Sequence, residues 1–442
     1  MGPVIDKIVT SQTLPQKTDV AIIGGGIIGV STALFLAERG IHVTLFEKGT
    51  LACEQSSRNW GWCRQNGRDS REIPLIRESM KIWNDLNEKT GHETGFRASG
   101  IVYTTQSQAQ IETYEKWVEI AREHGLDSKI LSAREAMDAA PGLTQNLVGG
   151  MKTIGDGRAE PQKAVPAMAV KAMQDGATIL ENCAVRGIET TNGKVSAVVT
   201  ERGVVACQAV VIAGGAWSRL ICKGLGLRLP QLKLRGSVFR TQPLDAGIDH
   251  AIYYNDFGIR KRLDGGYTIA AEGGGVADII PDSFAFFREY LPTLLMEWRT
   301  LHLRFGERFF EELIQWRNKP FDQVSVFEKI RTLDPSPHRR ANLQALEKVK
   351  QAFPQFKVAR IEQEWAGLID TMPDVIPVIS EAANVEGVTI ATGFSGHGFG
   401  IGPGAGHLIA DMVTGATPIV DPTPFRFSRF TDGSKLTIEK WG

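Results

Sequence analysis

The chain has 442 residues, too many for one small core, so two domains are expected. Its 50 Lys+Arg balance 50 Asp+Glu, and a formal net charge of zero gives no basis for nucleic-acid binding or bulk attraction to anionic lipid. Five scattered cysteines exclude a disulfide framework and a metal-ligand spacing and fit a reducing compartment. The opening MGPVIDKIVTSQTLPQKTD lacks the basic-then-apolar pattern of a secretory signal, and no apolar run is long enough to span a bilayer. A cytoplasmic protein with no transmembrane segment is therefore expected, with peripheral membrane contact left open.

Asp19-Val-Ala-Ile-Ile predicts a short buried strand. Gly24-Gly-Gly-Ile-Ile-Gly29 follows at once and completes G-x-G-x-x-G. Val30–Arg39 has helical spacing and stops at Gly40, and Ile41–Phe46 predicts a second strand ending in Glu47. Each part has a physical task. The first glycines allow a tight turn and a close backbone approach to a pyrophosphate, and Gly29 lets the helix pack on the strand. The helix N-terminus offers free N–H groups and positive partial charge, and Glu47 is placed to accept hydrogen bonds from a ribose. A glycine triplet alone is weak evidence. Strand, turn, helix, strand and acid in order form a dinucleotide-binding unit.

Gly49–Arg64 is a long polar and aromatic loop rather than a rapid return to another helix. Gln162–Asp175 reads as a helix ending near Gly176. Thr178–Leu180, Ala184–Thr190 and Val195–Thr200 read as strands, with Asn192-Gly193 as a hairpin signal. Ile259–Ala271 is read as one strand carrying Arg260 and Arg262. Phe284, Phe287, Leu291, Leu294, Trp298, Leu301, Phe305, Phe309, Leu313 and Trp316 recur at three- and four-residue steps. Such a stripe is expected to pack on the protein core, with a subunit or membrane contact as the alternatives. No HxxxH or CxxC pattern occurs, so no metal site is expected.

Four stretches carry a resemblance to the D-amino-acid oxidase superfamily, which includes glycine oxidase, sarcosine oxidase and D-amino-acid dehydrogenases. They are Gly49–Arg64, Ala209–Trp217, Trp365-Ala-Gly-Leu-Ile-Asp-Thr-Met-Pro-Asp374 running on to Ile379, and Gly393-Phe-Ser-Gly-His397-Gly-Phe-Gly-Ile-Gly402. The implied fold is α/β, a Rossmann-like FAD-binding domain with a second, mostly antiparallel α+β substrate domain. The first would comprise residues 1–95, 150–227 and 361–442, and the second 96–149 and 228–360 with the aromatic-rich segment 284–316. The resemblance implies cofactor contacts from Gly24, Gly26, Ile27, Ile28, Gly29, Glu47 and Lys48. It adds Ser56, Ser57, Arg58, Asn59, Trp60 and Gly61 in the loop, Val185, and Ala213, Gly214 and Trp217. Gly396, His397, Gly398, Phe399, Gly400 and Ile401 complete the set.

The implied chemistry is FAD-dependent oxidation of the C–N bond of an amino acid or N-substituted amino acid to an imine, which then hydrolyses. Electrons would pass to oxygen or a respiratory acceptor. A 2-hydroxy-acid dehydrogenase, or the flavoprotein subunit of a multi-subunit dehydrogenase, is the alternative. The expected partners are a small amine or amino acid and other copies of the chain. A substrate carboxylate needs a cation, best a bidentate arginine. Glycine and D-amino-acid oxidases carry an arginine near the position of Ile369, and monomeric sarcosine oxidases a lysine where Gly400 stands. Neither anchor is present, which leaves Arg64, Arg260 and Arg262 as candidates, with His397 beside the flavin. Trp60 and Trp62 read equally as active-site walls or as packing residues. Covalent tethers in relatives use a cysteine in the last third or a histidine after the second strand. This chain has no cysteine after Cys222 and no histidine from Lys48 to Ser70. Non-covalent FAD is expected, with Cys53 and Cys63 as the only thiols in the loop.

Overall fold

A computed structural model describes residues 2–271, 275–297, 301–315, 320–439 and 441. The first strand, Val20–Ile23, lies in a six-stranded sheet in the order 378–381, 388–392, 209–212, 20–23, 43–46, 178–180. All pairings in it are parallel except the 378–381 edge. Residues 20–23 and 43–46 are buried throughout, as short apolar runs of β-branched residues in a parallel sheet should be. The register fixes the site. Ile23 pairs with Phe46 on one side and Ile212 on the other, so Gly24, Glu47 and Ala213 leave the sheet side by side.

The helix Ile27–Glu38 begins inside the glycine motif, three residues before the sequence pattern placed it. It ends where Gly40 takes a left-handed φ of 73°. A Cβ on Gly29 would overlap the Gly24 carbonyl oxygen, so helix and turn meet backbone to backbone. The long C-terminal helix Gly398–Thr414 packs on the same helix in the same way. A Cβ on Gly406 would reach the backbone of Ser31 and lie 2.7 Å from the Thr32 nitrogen. With Ile73–Thr90 and Pro161–Gln174, these helices cover the core beneath the sheet. The hairpin at Asn192-Gly193 joins Val185–Thr191 to Lys194–Thr200, and both turn residues have positive φ, at 54° and 79°.

The second sheet is mostly antiparallel. Leu232–Thr241 pairs along its whole length with Ile361–Thr371, and on its other edge with 267–271 and 276–278. The sheet continues through 257–261, 251–254, 101–105, 149–153 and 128–132. Strands 149–153 and 361–371 belong here, although the sequence boundaries at 150 and 361 put most of both with the dinucleotide-binding part. The run 259–271 is two strands, Phe257–Lys261 and Tyr267–Ala271, joined by a turn at Asp264–Gly266. The strand 361–371 leads back to the first sheet through Asp374. That carboxylate is buried against Arg429 at 2.8 and 3.2 Å.

The aromatic-rich segment corrects its expectation. It forms a helix Phe287–Glu297, a short strand His302–Arg304 and a helix Glu307–Gln315; Trp298 and Trp316 lie outside the described residues. Phe284 is 67% exposed, Phe287 52% and Phe305 61%, so the stripe is not core. The charged side of the last helix faces inward instead. Glu312 is buried against Lys233 at 2.7 Å and Arg308 at 3.0 Å, and Arg308 and Arg304 reach Asp278. Ion pairs dock this helix, and the phenylalanines pack on one another. Among the described residues no helix is long and apolar enough to cross a membrane.

The contact between the two long helices yields a direct test. Gly406→Ala forces a methyl into backbone and is expected to destabilise the fold by about 1–3 kcal/mol, the usual range for overpacking. A lowered thermal midpoint of the apoprotein reads this, and an unchanged midpoint contradicts the close contact.

Candidate active site

Two adjoining cavities follow from this frame. The first has about 1160 Å³ of empty space and lies at the ends of strands 20–23, 43–46 and 209–212. Gly24, Gly26, Ile27 and Ile28 line it, with Glu47, Lys48, Ser56, Asn59, Val185, Ala213, Gly214 and Trp217, and with Gly396, Gly398 and Phe399. The turn is open because it has no side chains. A Cβ on Gly24 would overlap the Ala213 carbonyl, and one on Gly26 would lie 2.9 Å from Ser56 Oγ. The first turn of the 12-residue helix then presents N–H groups that lack intrahelical acceptors, the setting a pyrophosphate needs.

Glu47 accepts from the Gly25 N–H with one oxygen and the Gly49 N–H with the other, both at 2.7 Å. Each oxygen keeps a lone pair for a ribose hydroxyl. Burial pushes this carboxyl up from its ordinary value, against Lys48 and the two N–H donors, which pull it down. Lys48 sits 4.6 Å over the Trp217 ring and donates to Glu54 at 2.7 Å. Asp370, which the sequence reading left without a role, organises the glycine loop. It accepts from the Gly393 N–H at 2.7 Å and from Thr392 Oγ1 at 3.1 Å. These residues fit a dinucleotide: an open glycine cradle, an acid for the ribose and a covered aromatic end.

The second cavity, with about 1660 Å³ of empty space, shares Gln55, Asn59, Gly396 and Phe399 with the first. Arg58, Trp60, Arg64, His397 and Gly400 line it, with Trp62, Tyr103, Tyr253, Val238 and Ile369, and Ile438, Glu439 and Trp441 close it from the C-terminal tail. Trp60 and Trp62 therefore both pack, edge to face at 5.2 Å, and form a wall. Val375 lines it too, at a φ of 64° that β-branched residues rarely adopt.

The polar centre of this cavity is a chain of three side chains. His397 Nδ1 lies 2.8 Å from Glu72 Oε2, and Nε2 lies 3.3 Å from Arg64 Nη2. A guanidinium can only donate, so Nε2 accepts, and Nδ1–H then donates to Glu72. Burial pushes the imidazole below its ordinary value, with Glu72 pulling the other way, which agrees with a neutral ring. Burial would raise Glu72, yet His397 and Arg68 together hold its carboxyl down at about 2. Arg68 is buried and donates to Glu72 at 3.4 Å and to the His397 carbonyl at 3.2 Å. Glu72 and Arg68 were missed by sequence reasoning. Their only signal is the four-residue spacing, which is common to many exposed pairs.

Several candidates lie elsewhere. Arg260 is 1% exposed and donates to Glu160 at 3.0 and 3.3 Å and to Thr268 at 3.0 Å, and Arg262 pairs with Asp264 at 3.0 Å. Neither lines either of these two cavities, so both leave the list of substrate anchors. Gly61 has a φ of 75° beneath Arg260, Ser57 accepts from Gln162 through its carbonyl, and Ile401 is core. Gly29 serves helix packing. Arg58 lines the second cavity, but its donors go to Asp334, Ala366 O and Cys53 O. Gly400 is tightly placed: a Cβ there would lie 3.2 Å from Cys63 Cα, and Ser79 and Trp83 both donate to its carbonyl. Cys63 is buried, whereas Cys53 lines the first cavity, where burial pushes its thiol up to about 11.

Comparison with known proteins agrees with this geometry. The family model described as DAO, FAD dependent oxidoreductase, matches residues 19–412. Mouse sarcosine dehydrogenase is 24% identical over 95% of the chain, which spans 42% of that protein's length. Sarcosine oxidase subunit beta from an Arthrobacter species is 24% identical over 95% of the chain and 93% of its own. The solved structure of an L-amino acid deaminase from Proteus myxofaciens in complex with anthranilate superposes with a TM-score of 0.94. It is 32% identical and is matched over 98% of this chain and 97% of its own. With a family model covering most of its length, an open glycine cradle and a mixed two-sheet fold, this chain belongs to the D-amino-acid oxidase family of FAD-dependent oxidoreductases.

Proposed function

We propose that the second cavity binds an amino acid with a large apolar side chain and that the enzyme oxidises its C–N bond to an imine, which water hydrolyses. The observation that carries this reading is Arg64. Three arginines line the cavity, and Arg58 and Arg68 are buried and committed to carboxylates. Arg64 is only half-buried. It donates to the Asn66 carbonyl and to His397, and among the described residues no carboxylate lies within ion-pair distance of it. A substrate carboxylate supplies the missing partner. Trp60, Trp62, Tyr103, Tyr253 and Trp441 offer apolar faces to the rest of the molecule. Relatives named for sarcosine, glycine and L-amino acids support the substrate class.

Bound FAD supplies the acceptor for the two electrons. The chain supplies position. Arg64 fixes the carboxylate, the aromatic wall fixes the side chain, and Ile438 and Trp441 keep water from the reacting carbon. Glu72 and the neutral His397 keep Arg64 aimed into the cavity. The cofactor is read as non-covalent, because buried Cys63 does not line either cavity and Cys53 is held as a thiol beside Glu47 and Glu54.

Anaerobic bleaching of the flavin tests the reading. Bulky amino acids are expected to reduce it faster than glycine, than the amines lacking a carboxylate, and than 2-hydroxy acids. Faster reduction by hydroxy acids than by any amine would overturn it. Arg64→Ala is expected to lower kcat/KM for an amino acid at least tenfold, about 1.4 kcal/mol or more. Near-native kinetics would remove Arg64 from the site. Acid denaturation and centrifugation should leave yellow supernatant and colourless pellet; flavin retained by the washed pellet would identify a tether at Cys53 or Cys63.

A further inference from the structure

Residues 321–334 do not behave as part of the sheet they follow in sequence. They lie across the dinucleotide-binding part and are fastened to it at both ends. Arg186 on the 185–191 strand forms a two-pronged pair with Glu328, 2.9 Å at each contact, and also donates to the Phe321 carbonyl at 3.2 Å. A Cβ on Gly187 would overlap the Phe321 ring, so the strand is cut back to let that ring lie on it. Further along, Arg331 pairs with Glu201 through both nitrogens at 2.5 and 2.6 Å and donates to the Lys48 carbonyl at 2.8 Å. Lys48 returns the contact, donating to the Ile330 and Arg331 carbonyls at 3.0 and 2.8 Å. The Leu333 N–H donates to Glu54 at 3.0 Å, and Arg58 reaches Asp334 at 2.8 Å. Between these fastenings, Phe327 lines the first cavity and meets Trp217 edge to face at 5.7 Å.

We propose that residues 321–334 form a clasp over the end of the FAD cavity that Glu47, Val185 and Trp217 line, and that its opening sets the rate at which FAD leaves. Phe327 is the clasp's contact with the cofactor. The fastenings are charged, partly solvent-exposed and made by side chains rather than by a strand ladder. Each is weak alone and reversible, so the segment can lift without unfolding either sheet. Lys48, Glu54 and Trp217 share one network: Lys48 and the Trp217 indole N–H both donate to Glu54, which also accepts from the clasp backbone. Closing the clasp thereby orders the cofactor loop after the second strand.

A native cysteine permits the test. Thr332 Oγ1 lies 3.4 Å from Cys53 Sγ, so Thr332→Cys places a second thiol against Cys53. The variant is loaded with FAD in the reduced state and then oxidised, and release of FAD after dilution is followed by its fluorescence. The oxidised form is expected to release FAD slower by about tenfold or more than the same sample after dithiothreitol. Phe327→Ala and Glu201→Gln should release it several-fold faster, on the scale over which such dissociation rates vary, with the unfolding midpoint of the apoprotein unchanged. Equal rates for oxidised and reduced protein, with bridging verified by thiol titration, overturn the proposal. If no bridge forms, unchanged release from both Phe327→Ala and Glu201→Gln overturns it. Glu47→Ala separates the two assignments made for this cavity: faster release there with no clasp effect removes the clasp alone, whereas no change there removes the cavity's role as FAD site.

Discussion

The site depends on one close contact, the packing of the Gly29 backbone against the Gly24 carbonyl oxygen. No side chain fits between them, so the first helix starts hard against the end of the first strand. Its N-terminal N–H groups are thereby fixed beside Glu47 and Ala213, which the parallel register brings to the same edge. The second close contact, Gly406 on Ser31 and Thr32, ties the C-terminal helix to the same element. That helix begins at Gly398, one residue after His397, so the polar centre of the second cavity is positioned by backbone packing on the first. Two glycines far apart in sequence thus set how the two cavities adjoin.

How much of this was legible in the sequence follows from the range of each interaction. The strand, glycine turn, helix, strand and Glu47 form one local unit whose parts are each specified by neighbours within a few residues, and the structure has them nearly where periodicity placed them. Arg260 and Arg262 failed for the opposite reason. Their environment is decided by Glu160, about a hundred residues earlier, and nothing near Arg260 announces that a buried carboxylate is waiting for it. The reading of 259–271 as one strand also hid the turn at Asp264, which takes Arg262. Glu72 and Phe327 were invisible on the same grounds, since each gains its meaning from a partner brought close only by the fold.

The aromatic-rich segment shows where an amphipathic pattern misleads. A stripe at three- and four-residue steps specifies which residues share a face, but not which face turns inward. Here the buried partner surface holds Lys233 and Asp278, and the helix answers with Glu312 and Arg308. Burying a charge without a partner costs several kcal/mol or more, whereas exposed phenylalanines forfeit only part of their transfer free energy. The polar face therefore wins the inward side, and the aromatic face is left outward.

The same competition bears on the proposed placing of a carboxylate anchor at Arg64. The family resemblance implies a cation near the positions that Ile369 and Gly400 occupy here. A side chain at Gly400 is crowded here, because a Cβ would lie 3.2 Å from Cys63 Cα and 3.3 Å from the Arg64 nitrogen, and the Gly400 carbonyl is held by Ser79 and Trp83. A larger residue there needs the backbone of residues 62–64 to give by a few tenths of an ångström. Ile369 lines the cavity among apolar side chains, and Gly236 on the paired strand leaves just enough room for it, with a Cβ there 3.3 Å from Ile369 Cδ1. A cation at 369 would have to lie in that close contact with the Gly236 strand. Arg64 meets neither obstacle: it is half-exposed, its guanidinium rests on a carbonyl and a neutral imidazole, and Glu72, on the far side of that imidazole, is already paired with Arg68. Of the three arginines that line this cavity, Arg58 and Arg68 are paired with carboxylates, and Arg64 is the one that the proposed reading leaves for a ligand carboxylate to partner.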